Sequence, residues 1–212
     1  VRRRPSGRRR TVVFDLDGTL VAGDSFGRFL TASWRRAPHR LLAGAALWLL
    51  PGPRTRAELL VIGATTFGLT AGGLRRRWHQ HARHHGRSRI EVALRRLEEH
   101  RRAGDRVVVA TACAEPLARL VCAELGLHDV DLVASPYEHR RWLPPRATAI
   151  RGEVKVGALR RAGIELPVDD AYSDSLRDLP LLRAARTAHL VRPRARELAR
   201  LRAALGDVEV LD

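Results

Sequence analysis

The chain has 212 residues, a hydrophobic fraction of 45% and a formal net charge of +16 at pH 7. A chain of this length can bury one hydrophobic core and carry an inserted subdomain. Its two cysteines, Cys113 and Cys122, exclude a disulfide framework and favour a reduced, cytoplasmic protein. The arginine-rich charge favours anionic partners, namely phosphorylated substrates, anionic lipid surfaces or nucleic acid, although a preference for arginine codons gives the same composition.

The N-terminal region combines a basic segment with a short apolar strand. Residues 1–10 are rich in arginine, and we expect a disordered basic arm with no apolar signal-peptide core after it. Thr11–Phe14 predicts a buried strand that ends at the sequence Asp15-Leu16-Asp17-Gly18-Thr19. Side chains two residues apart on a strand point to the same side, so Asp15 and Asp17 can face one site. Such a pair suits an Mg²⁺ site or a nucleophile beside a general acid, and the alternative is an exposed turn.

Residues 23–86 show no alternation of strands and predict a helical cap inserted after the first strand. Asp24 is expected to N-cap the first cap helix, and the alternative is a contact with the substrate. Two uncharged runs, residues 41–53 and 59–74, are both shorter than the roughly 20 residues that a membrane-spanning helix requires. Tryptophans such as Trp34 suit helices that lie in a membrane interface, and the alternative is a buried helix pair.

The end of the predicted cap is rich in histidine. His81 and His85 are four residues apart and face the same side of a helix, which is a spacing that metal ligands use. No cysteine or carboxylate nearby completes a ligand set, and tetrahedral metal sites need more ligands than these two. We therefore interpret this stretch as a solvated, partly cationic helix face.

The remaining chain alternates predicted strands with predicted helices, which indicates a parallel sheet with helices on both faces. The fold class is therefore α/β, with a core of residues 11–22 and 87–212 and an α-helical cap of residues 23–86. A hairpin-like excursion is expected at residues 137–150. The predicted strands after the cap are residues 106–111, 132–135, 171–173 and 188–191. The predicted helices are residues 89–103, 116–125, 154–162 and 180–185.

Further polar residues lie where predicted strands end or predicted helices begin. Thr111 ends an apolar run, and a threonine that only caps a buried strand is the alternative. Lys155 is the only lysine of the chain, although a single lysine in so basic a protein can also lie on the surface. Asp174 follows a strand, and Asp178 lies on the first turn of a helix expected after Ser175, facing back towards the site. An acidic first turn behind a helix N-cap is the structural alternative.

Taken in order, these motifs resemble the four motifs of the haloacid dehalogenase (HAD) superfamily of phosphohydrolases. The resemblance implies that Asp15 is the nucleophile and forms an aspartyl-phosphate, while Asp17 is the general acid and base. It also implies that Thr111, the backbone N–H of Ala112 and the ammonium group of Lys155 bind the phosphoryl group. The implied fold is a Rossmann-like parallel sheet with an inserted cap and a short β-ribbon before the lysine.

The same resemblance implies that the protein uses Mg²⁺ as its cofactor. The expected ligands are Asp15, the backbone carbonyl of Asp17, and Asp174, with Asp178 in support. The implied reaction is the hydrolysis of a phosphomonoester. Caps inserted at this point close over the site, exclude water and select the substrate. Binding of the substrate or gating of solvent is the alternative to the helix-capping role of Asp24.

A narrower resemblance extends over nearly the whole chain. Residues 17–30, Thr66-Phe67-Gly68, Tyr172-Ser173-Asp174-Ser175 and Val191-Arg192-Pro193-Arg194 resemble the phosphatidylglycerophosphatase C family of membrane-associated HAD phosphatases. This resemblance implies a phospholipid substrate such as phosphatidylglycerophosphate and a peripheral location at the inner face of the cell membrane. The alternatives are a soluble phosphomonoester such as phosphoserine, and a basic module that binds membranes or nucleic acid. Basic runs without interleaved aromatic residues argue against nucleic acid as a partner.

Overall fold

The computed structural model describes residues 9–37, 39, 42 and 54–212. Residues 1–8 of the predicted arm and most of the uncharged run at 41–53 lie outside this part of the chain. The interface helix that we expected in that run is therefore not among the elements described below.

Arg9 and Arg10 contact the core and do not belong to the predicted arm. The side chain of Arg9 donates a hydrogen bond to the carbonyl of Gly104 (3.1 Å). The guanidinium group of Arg10 forms an ion pair with the buried carboxylate of Asp170. The prediction that the arm reaches residue 10 is thus corrected, because both side chains find partners on the adjoining strands and turns.

A six-stranded parallel sheet forms the core, with the strand order β3-β2-β1-β6-β7-β8. A separate antiparallel ribbon pairs β4 with β5. This arrangement confirms the predicted α/β class. The strands are β1 (Thr11–Phe14), β2 (Arg106–Ala114), β3 (Asp131–Ser135), β4 (Tyr137–Glu138), β5 (Arg146–Ala147), β6 (Val168–Ser173), β7 (Ala185–Val191) and β8 (Glu209–Leu211).

Helices cover both faces of this sheet and form the insertion after β1. A 3₁₀ turn at Leu176–Asp178 leads into a five-residue helix. The α-helices described are α1 (Ser25–Arg36), α2 (Arg54–Thr66), α3 (Ala71–His85), α4 (Glu91–Arg102), α5 (Glu115–Glu124), α6 (Glu153–Arg161), α7 (Leu179–Arg183) and α8 (Ala195–Leu205).

Strand β1 lies in the middle of the sheet, between β2 and β6. Its residues Val12, Val13 and Phe14 are fully buried, because a central parallel strand is covered on both faces. Phe14 pairs in register with Val109 of β2 and Tyr172 of β6. The three strands therefore reach the same edge together, and open α/β sheets bind their ligands at this carboxyl edge.

Alternation along β1 divides its side chains between two hydrophobic cores. Val12 and Phe14 pack on one face with residues of α3, α4 and α5, such as Leu97. Val13 packs on the other face with residues of α6, α7 and α8, such as Leu159. Burial of a branched or aromatic side chain contributes about 1.5 to 3 kcal/mol, so these two cores hold the carboxyl edge rigidly in place.

Helices α1, α2 and α3 make up the described part of the predicted cap. Asp24 N-caps α1, where its side chain accepts a hydrogen bond from the backbone N–H of Gly27 (2.8 Å). The indole N–H of Trp34 donates to the hydroxyl of Thr65 on α2 (2.8 Å), so this tryptophan holds two cap helices together. No helix in the described ranges has the length and apolar character needed to cross a bilayer.

Most predicted elements match observed ones within a few residues, and the expected excursion at 137–150 contains the ribbon of β4 and β5. The sequence did not predict helix α8 or strand β8. Strand β8 has three residues and pairs with β7 at the edge of the sheet. The strand is too short to show a recognisable alternation of apolar residues, so its formation depends on pairing with β7.

Candidate active site

Lys155 connects two carboxylates at the carboxyl edge of the sheet. Its ammonium nitrogen lies 2.7 Å from Oδ1 of Asp15 and 2.7 Å from Oδ1 of Asp178. Asp15 directly follows β1, and Lys155 lies in the first turn of α6. All three side chains are buried, with Lys155 only 2% exposed. The surface alternative for the single lysine is therefore excluded by its position.

Asp178 is held in place by the segment that follows β6. The hydroxyl of Ser173 donates to Oδ2 of Asp178 (2.9 Å), while Oδ1 contacts Lys155. Ser175 caps the 3₁₀ turn at Leu176–Asp178 and accepts a hydrogen bond from the N–H of Arg177 (3.2 Å). This turn directs Asp178 back to the site, as the sequence predicts. Both of its carboxylate oxygens are occupied by protein donors, which favours a supporting position over direct coordination of a metal.

The charges of this cluster are unequal. Burial raises the pKa of the Asp15 carboxyl group well above its usual range, Lys155 opposes this rise, and Asp178 and Asp17 add to it. Burial alone lowers the pKa of the Lys155 ammonium group, but Asp15 and Asp178 outweigh it and keep the pKa above its usual value. Lys155 is therefore charged, and the carboxylates around it outnumber it. Because burial disfavours the ionised forms of these acids and they outnumber the ammonium group, a further cation would stabilise their ionised forms.

Asp17 is bound by the first residue of the cap. Its Oδ1 accepts hydrogen bonds from the backbone N–H of Ser25 (3.0 Å) and from the Ser25 hydroxyl. Burial raises the pKa of the Asp17 carboxyl group to about 7, although the hydrogen bonds from Ser25 oppose the rise. A carboxyl group with this pKa exchanges its proton near neutral pH, which is what a general acid and base requires.

Asp174 follows β6 and approaches the chain closely at Gly18. Gly18 has a positive φ of 86°, and a Cβ atom at this position would overlap the carboxylate of Asp174. The backbone N–H of Asp174 donates to the hydroxyl of Thr19 (3.2 Å), which fixes the two loops together. Oδ1 of Asp174 is buried and has no hydrogen-bond partner, and burial raises the pKa of this carboxyl group to about 6.

The unpartnered oxygen of Asp174 provides a test of the predicted Mg²⁺ site. A buried carboxylate oxygen without a donor is costly unless a cation or water binds it. No three acidic, histidine or cysteine side chains form a metal-binding group in the described part of the chain. Mg²⁺ needs only one or two protein carboxylates and keeps several waters, so Asp15, Asp174 and the Asp17 carbonyl fit its preference. The residues present therefore suit this ion.

Thr111 and Ala112 lie level with the aspartates on the neighbouring strand. Val109 pairs with Phe14, so Thr111 reaches the level of the residue that follows Asp15. Thr111 is fully buried, and its hydroxyl oxygen accepts a hydrogen bond from the N–H of Cys113 (3.0 Å), which leaves the hydroxyl proton for another acceptor. Between Thr111 and Ala114 the pairing with β3 shifts register, and Ala112 lies in this irregular stretch.

Asp24 and the histidines differ from the catalytic candidates in their surroundings. Asp24 is exposed and serves as the helix cap described above, and its charge contributes to the raised pKa of the Asp17 carboxyl group. His85 is only 2% exposed, and burial lowers the pKa of its imidazole to about 4. His81 is half-buried and its ring stacks on that of His85 with centroids 5.7 Å apart. The expected solvated, cationic face is wrong for His81 and His85, because α3 packs this side towards the core, whereas residues 79, 80, 83 and 84 of the same stretch are exposed.

The sequence did not identify three hydroxyl residues that bind the candidate carboxyl groups. Ser25 donates to Asp17, Ser173 donates to Asp178, and the Thr19 hydroxyl accepts from the N–H of Asp174. Ser25 and Ser173 are fully buried, as is Thr19. A hydroxyl residue next to a catalytic motif is a signal for such a role, but the partner atom depends on contacts between distant segments.

Comparison with known proteins supports the fold and the family. A protein with unknown function from Bordetella pertussis Tohama I is 24% identical, with 97% of this chain and 99% of that chain covered and a TM-score of 0.73. A phosphoserine phosphatase in apo form is 13% identical, with 95% and 100% covered and a TM-score of 0.61. A phospho-aspartyl intermediate analogue of phosphoserine phosphatase is 14% identical, with 96% and 93% covered and a TM-score of 0.54.

At these identities the solved structures establish a shared fold. The family itself follows from the sequence match to the model of the haloacid dehalogenase-like hydrolases, which covers residues 12–183. This match spans the segments that supply Asp15, Asp17, Lys155, Asp174 and Asp178. The chain therefore belongs to the haloacid dehalogenase-like hydrolase family, and it is a hydrolytic enzyme.

Proposed function

We propose that the protein is an Mg²⁺-dependent phosphomonoester hydrolase that acts through an aspartyl-phosphate on Asp15. The observation that carries this proposal is the pair of buried contacts that Lys155 makes with Asp15 and with Asp178, where Asp15 lies two residues before Asp17. A carboxylate oriented by a fixed ammonium group and adjacent to a second carboxyl group has the parts that a nucleophile and its general acid need.

In the first step, a carboxylate oxygen of Asp15 attacks phosphorus and the phosphorus–oxygen ester bond breaks. Asp17, in its protonated form, gives its proton to the leaving oxygen as that bond breaks, so the product alcohol leaves neutral. Lys155 touches Oδ1 of Asp15, which keeps the carboxylate in one orientation for the attack. The phosphoryl group is now bonded to Asp15.

In the second step, water attacks phosphorus and the bond to Asp15 breaks. Asp17 is now the carboxylate and takes a proton from the attacking water, which restores its starting form. The products are inorganic phosphate and the free carboxylate of Asp15. The Thr111 hydroxyl accepts a hydrogen bond from the N–H of Cys113, so its own proton is available to donate to a phosphoryl oxygen. We place the N–H of Ala112 beside it as a second donor.

Asp15, the backbone carbonyl of Asp17, and Asp174 are the groups that we expect to hold Mg²⁺. When bound, this ion offsets the negative charge of the phosphoryl oxygens. Asp178 contributes by holding Lys155 with Oδ1 and the Ser173 hydroxyl with Oδ2. The unpartnered Oδ1 of Asp174 is the feature of the chain that supports this assignment.

An exposed aromatic surface supports a lipid phosphomonoester, such as phosphatidylglycerophosphate, as the substrate. Phe67 follows α2 and Trp142 lies between β4 and β5; their rings are 5.2 Å apart and the residues are 51% and 57% exposed. The guanidinium group of Arg141 lies 4.6 Å from the centre of the Trp142 ring. Leu143 beside them is half exposed. Exposed aromatic side chains with arginine suit an anionic membrane interface, so this proposal places the enzyme peripherally at the cytoplasmic face of the cell membrane.

A soluble phosphomonoester such as phosphoserine is the second candidate substrate. Its support comes from the two phosphoserine phosphatase structures with TM-scores of 0.61 and 0.54, which cover nearly all of this chain. In this case the aromatic residues only join the ribbon to the cap, where the N–H of Gly68 donates to the carbonyl of Arg141 (2.7 Å).

Phosphate release with and without Mg²⁺ tests the reaction and the substrate together. The substrates are phosphatidylglycerophosphate in mixed micelles, phosphoserine and p-nitrophenyl phosphate. The Asp15→Asn variant is the blank, and Asp129→Asn is the matched control because Asp129 pairs with Arg101 on the surface. We expect Asp15→Asn to lose at least about 1,000-fold in turnover on every substrate. Turnover that survives in this variant contradicts the nucleophile, and activity on soluble esters alone contradicts the lipid substrate.

A further inference from the structure

Ser25 joins the cap to the candidate general acid. It is the first residue of α1 and is fully buried. Both its backbone N–H and its hydroxyl donate to the same oxygen of Asp17, Oδ1. The other oxygen of the Asp17 carboxyl group is thereby left as the one that carries the exchangeable proton. The two donors thus fix which oxygen faces the substrate.

Helix capping does not explain the Ser25 hydroxyl. The N-cap of α1 is Asp24, whose side chain already accepts the hydrogen bond from the N–H of Gly27. A buried hydroxyl costs free energy unless it is hydrogen-bonded, and Ser25 makes its bond to a group outside the helix. The contact therefore serves Asp17 and not the end of the helix.

His81 supports Ser25 from the second cap helix that packs against α1. Its Nε2 atom lies 2.9 Å from the carbonyl oxygen of Ser25. Because a carbonyl oxygen only accepts, Nε2 must carry the proton and donate it. The imidazole ring is itself held by an edge contact with Phe29 (centroids 5.7 Å apart) and by stacking on His85. The position of the N-terminus of α1 is thus tied to α3.

We infer that Ser25 is a positioning residue that orients the Asp17 carboxyl group for proton transfer to the leaving oxygen, with His81 holding Ser25 in place. This inference rests on the proposed function, since it requires Asp17 to be the general acid. It assigns to the contact between α1 and α3 an effect on the proton-transfer step, beyond the selection of substrate by the cap.

The test compares two leaving groups in the Ser25→Ala variant. An alkyl phosphate, such as β-glycerophosphate, releases a strongly basic alkoxide and needs a proton from the general acid. p-Nitrophenyl phosphate releases a weakly basic nitrophenolate and needs it much less. The readout is kcat/KM, because it covers phosphoryl transfer to Asp15 and not the later hydrolysis, in which Asp17 acts on the same intermediate for every substrate. We expect Ser25→Ala to lower kcat/KM about 10-fold or more on the alkyl ester and less than about 3-fold on the aryl ester, since general acids contribute about 100-fold or more. Ser25→Thr, which keeps the hydroxyl, should restore the alkyl rate.

The second pair of variants is His81→Gln and His81→Phe. The glutamine keeps an N–H donor for the carbonyl of Ser25, and the phenylalanine removes it. We expect the alkyl-selective loss in His81→Phe only, and this pair carries the test if Ser25→Ala does not fold. An equal loss on both esters, or none, in Ser25→Ala and His81→Phe overturns the inference. Asp15→Asn separates this failure from that of the proposed function: if it retains turnover, the reaction itself is wrongly assigned.

Discussion

Two buried polar clusters lie in this sheet, and they differ in how their charges are balanced. The site cluster comprises Asp15, Asp17, Asp174, Asp178 and Lys155, and two of its four carboxyl groups, those of Asp15 and Asp178, contact its one ammonium group. Three of these acids have raised pKa values, mainly because of burial, and one oxygen of Asp174 has no partner. The described residues of the protein therefore do not supply a hydrogen-bond or ionic partner for every carboxylate oxygen of this cluster.

The second cluster is centred on His189 of β7. Its Nε2 lies 2.9 Å from Asp170 and its Nδ1 lies 2.7 Å from Glu209. Arg10 also pairs with Asp170, and Arg96 pairs with Glu209 (3.0 Å). Both ring nitrogens of His189 therefore lie within hydrogen-bond distance of a carboxylate. Each carboxylate in this cluster therefore has two basic partners.

The difference separates a site for chemistry from a polar support of the fold. Buried polar groups that are fully paired stabilise one conformation, whereas uncompensated ones indicate a ligand or a reaction. Tyr172 illustrates the supporting role: its ring stacks between Phe14 and His189, and its hydroxyl contacts His100 (2.9 Å). The site cluster has no such complete set of partners, so we expect mutations there to affect activity first.

The largest expected effect comes from Lys155→Met. This variant leaves Asp15 and Asp178 buried without their shared cation, which typically costs about 3 to 5 kcal/mol. It also removes the group that orients the nucleophile, so we expect no measurable turnover. Urea unfolding and phosphate release measure the two effects. A variant that remains as stable and as active as the native protein contradicts the role of this ion pair.

Asp174→Asn is expected to abolish the response to Mg²⁺ with little loss of stability. An ion that binds only the folded state raises the stability by about 2.7 kcal/mol at 100 times its Kd, so Mg²⁺ should raise the Tm of the native protein. Asp174→Asn should show no such increase and should lose most of its turnover. Asp129→Asn provides the control in thermal scans with and without Mg²⁺. An unchanged Mg²⁺ effect in Asp174→Asn excludes this residue as a ligand.

His189→Phe tests the second cluster and should show the opposite behaviour. The substitution keeps an aromatic ring against Tyr172 but removes both hydrogen bonds to the carboxylates. We expect a loss of about 2 to 4 kcal/mol in the free energy of unfolding, because Asp170 stays buried with one partner fewer. The kcat of the remaining folded protein should not change. If fully folded His189→Phe loses turnover, the second cluster also affects catalysis, which contradicts the separation of the two clusters.

The smallest expected effect is a pH dependence of stability that belongs to Asp170. Burial by itself raises the pKa of this carboxyl group, but His189 and Arg10 outweigh burial and lower the pKa below 3.8. The unfolded chain then binds more protons near this pH, so the stability contribution is present above the unfolded pKa and is lost as pH falls through the folded pKa. The free energy of unfolding, measured with urea between about pH 3 and pH 5, should change less steeply with pH in Asp170→Asn than in the native protein.

The sequence was sufficient where the determining contacts are local. The apolar run before Asp15 predicts a central strand, and the spacing of Asp15 and Asp17 predicts that they share a site. Lys155 and Asp178 were assigned to the site by their order along the chain and by the family resemblance, and in the structure Lys155 contacts both Asp15 and Asp178. These residues lie at the ends of elements whose patterns are strong.

The contacts that the sequence did not predict connect segments far apart along the chain. Arg10 and Asp170 are separated by 160 positions, and His81 and Ser25 by 56. His85 was expected in solvent because no ligand set for a metal is complete around it, but the packing of α3 buries it. The hydrophobic periodicity of a sequence does not predict which distant polar groups come into contact. Neither the second cluster nor the role of Ser25 could therefore be predicted from the residues alone.

Because the chain has a single lysine, amine reagents can modify the protein at one defined side chain. Lys155 is buried between two carboxylates, so its ammonium group is charged and shielded while the site stays closed. Reagents that modify neutral amines react with this side chain only when the site opens and the amine loses its proton. The rate of that modification therefore reports on opening of the site in the native protein, with no engineered probe.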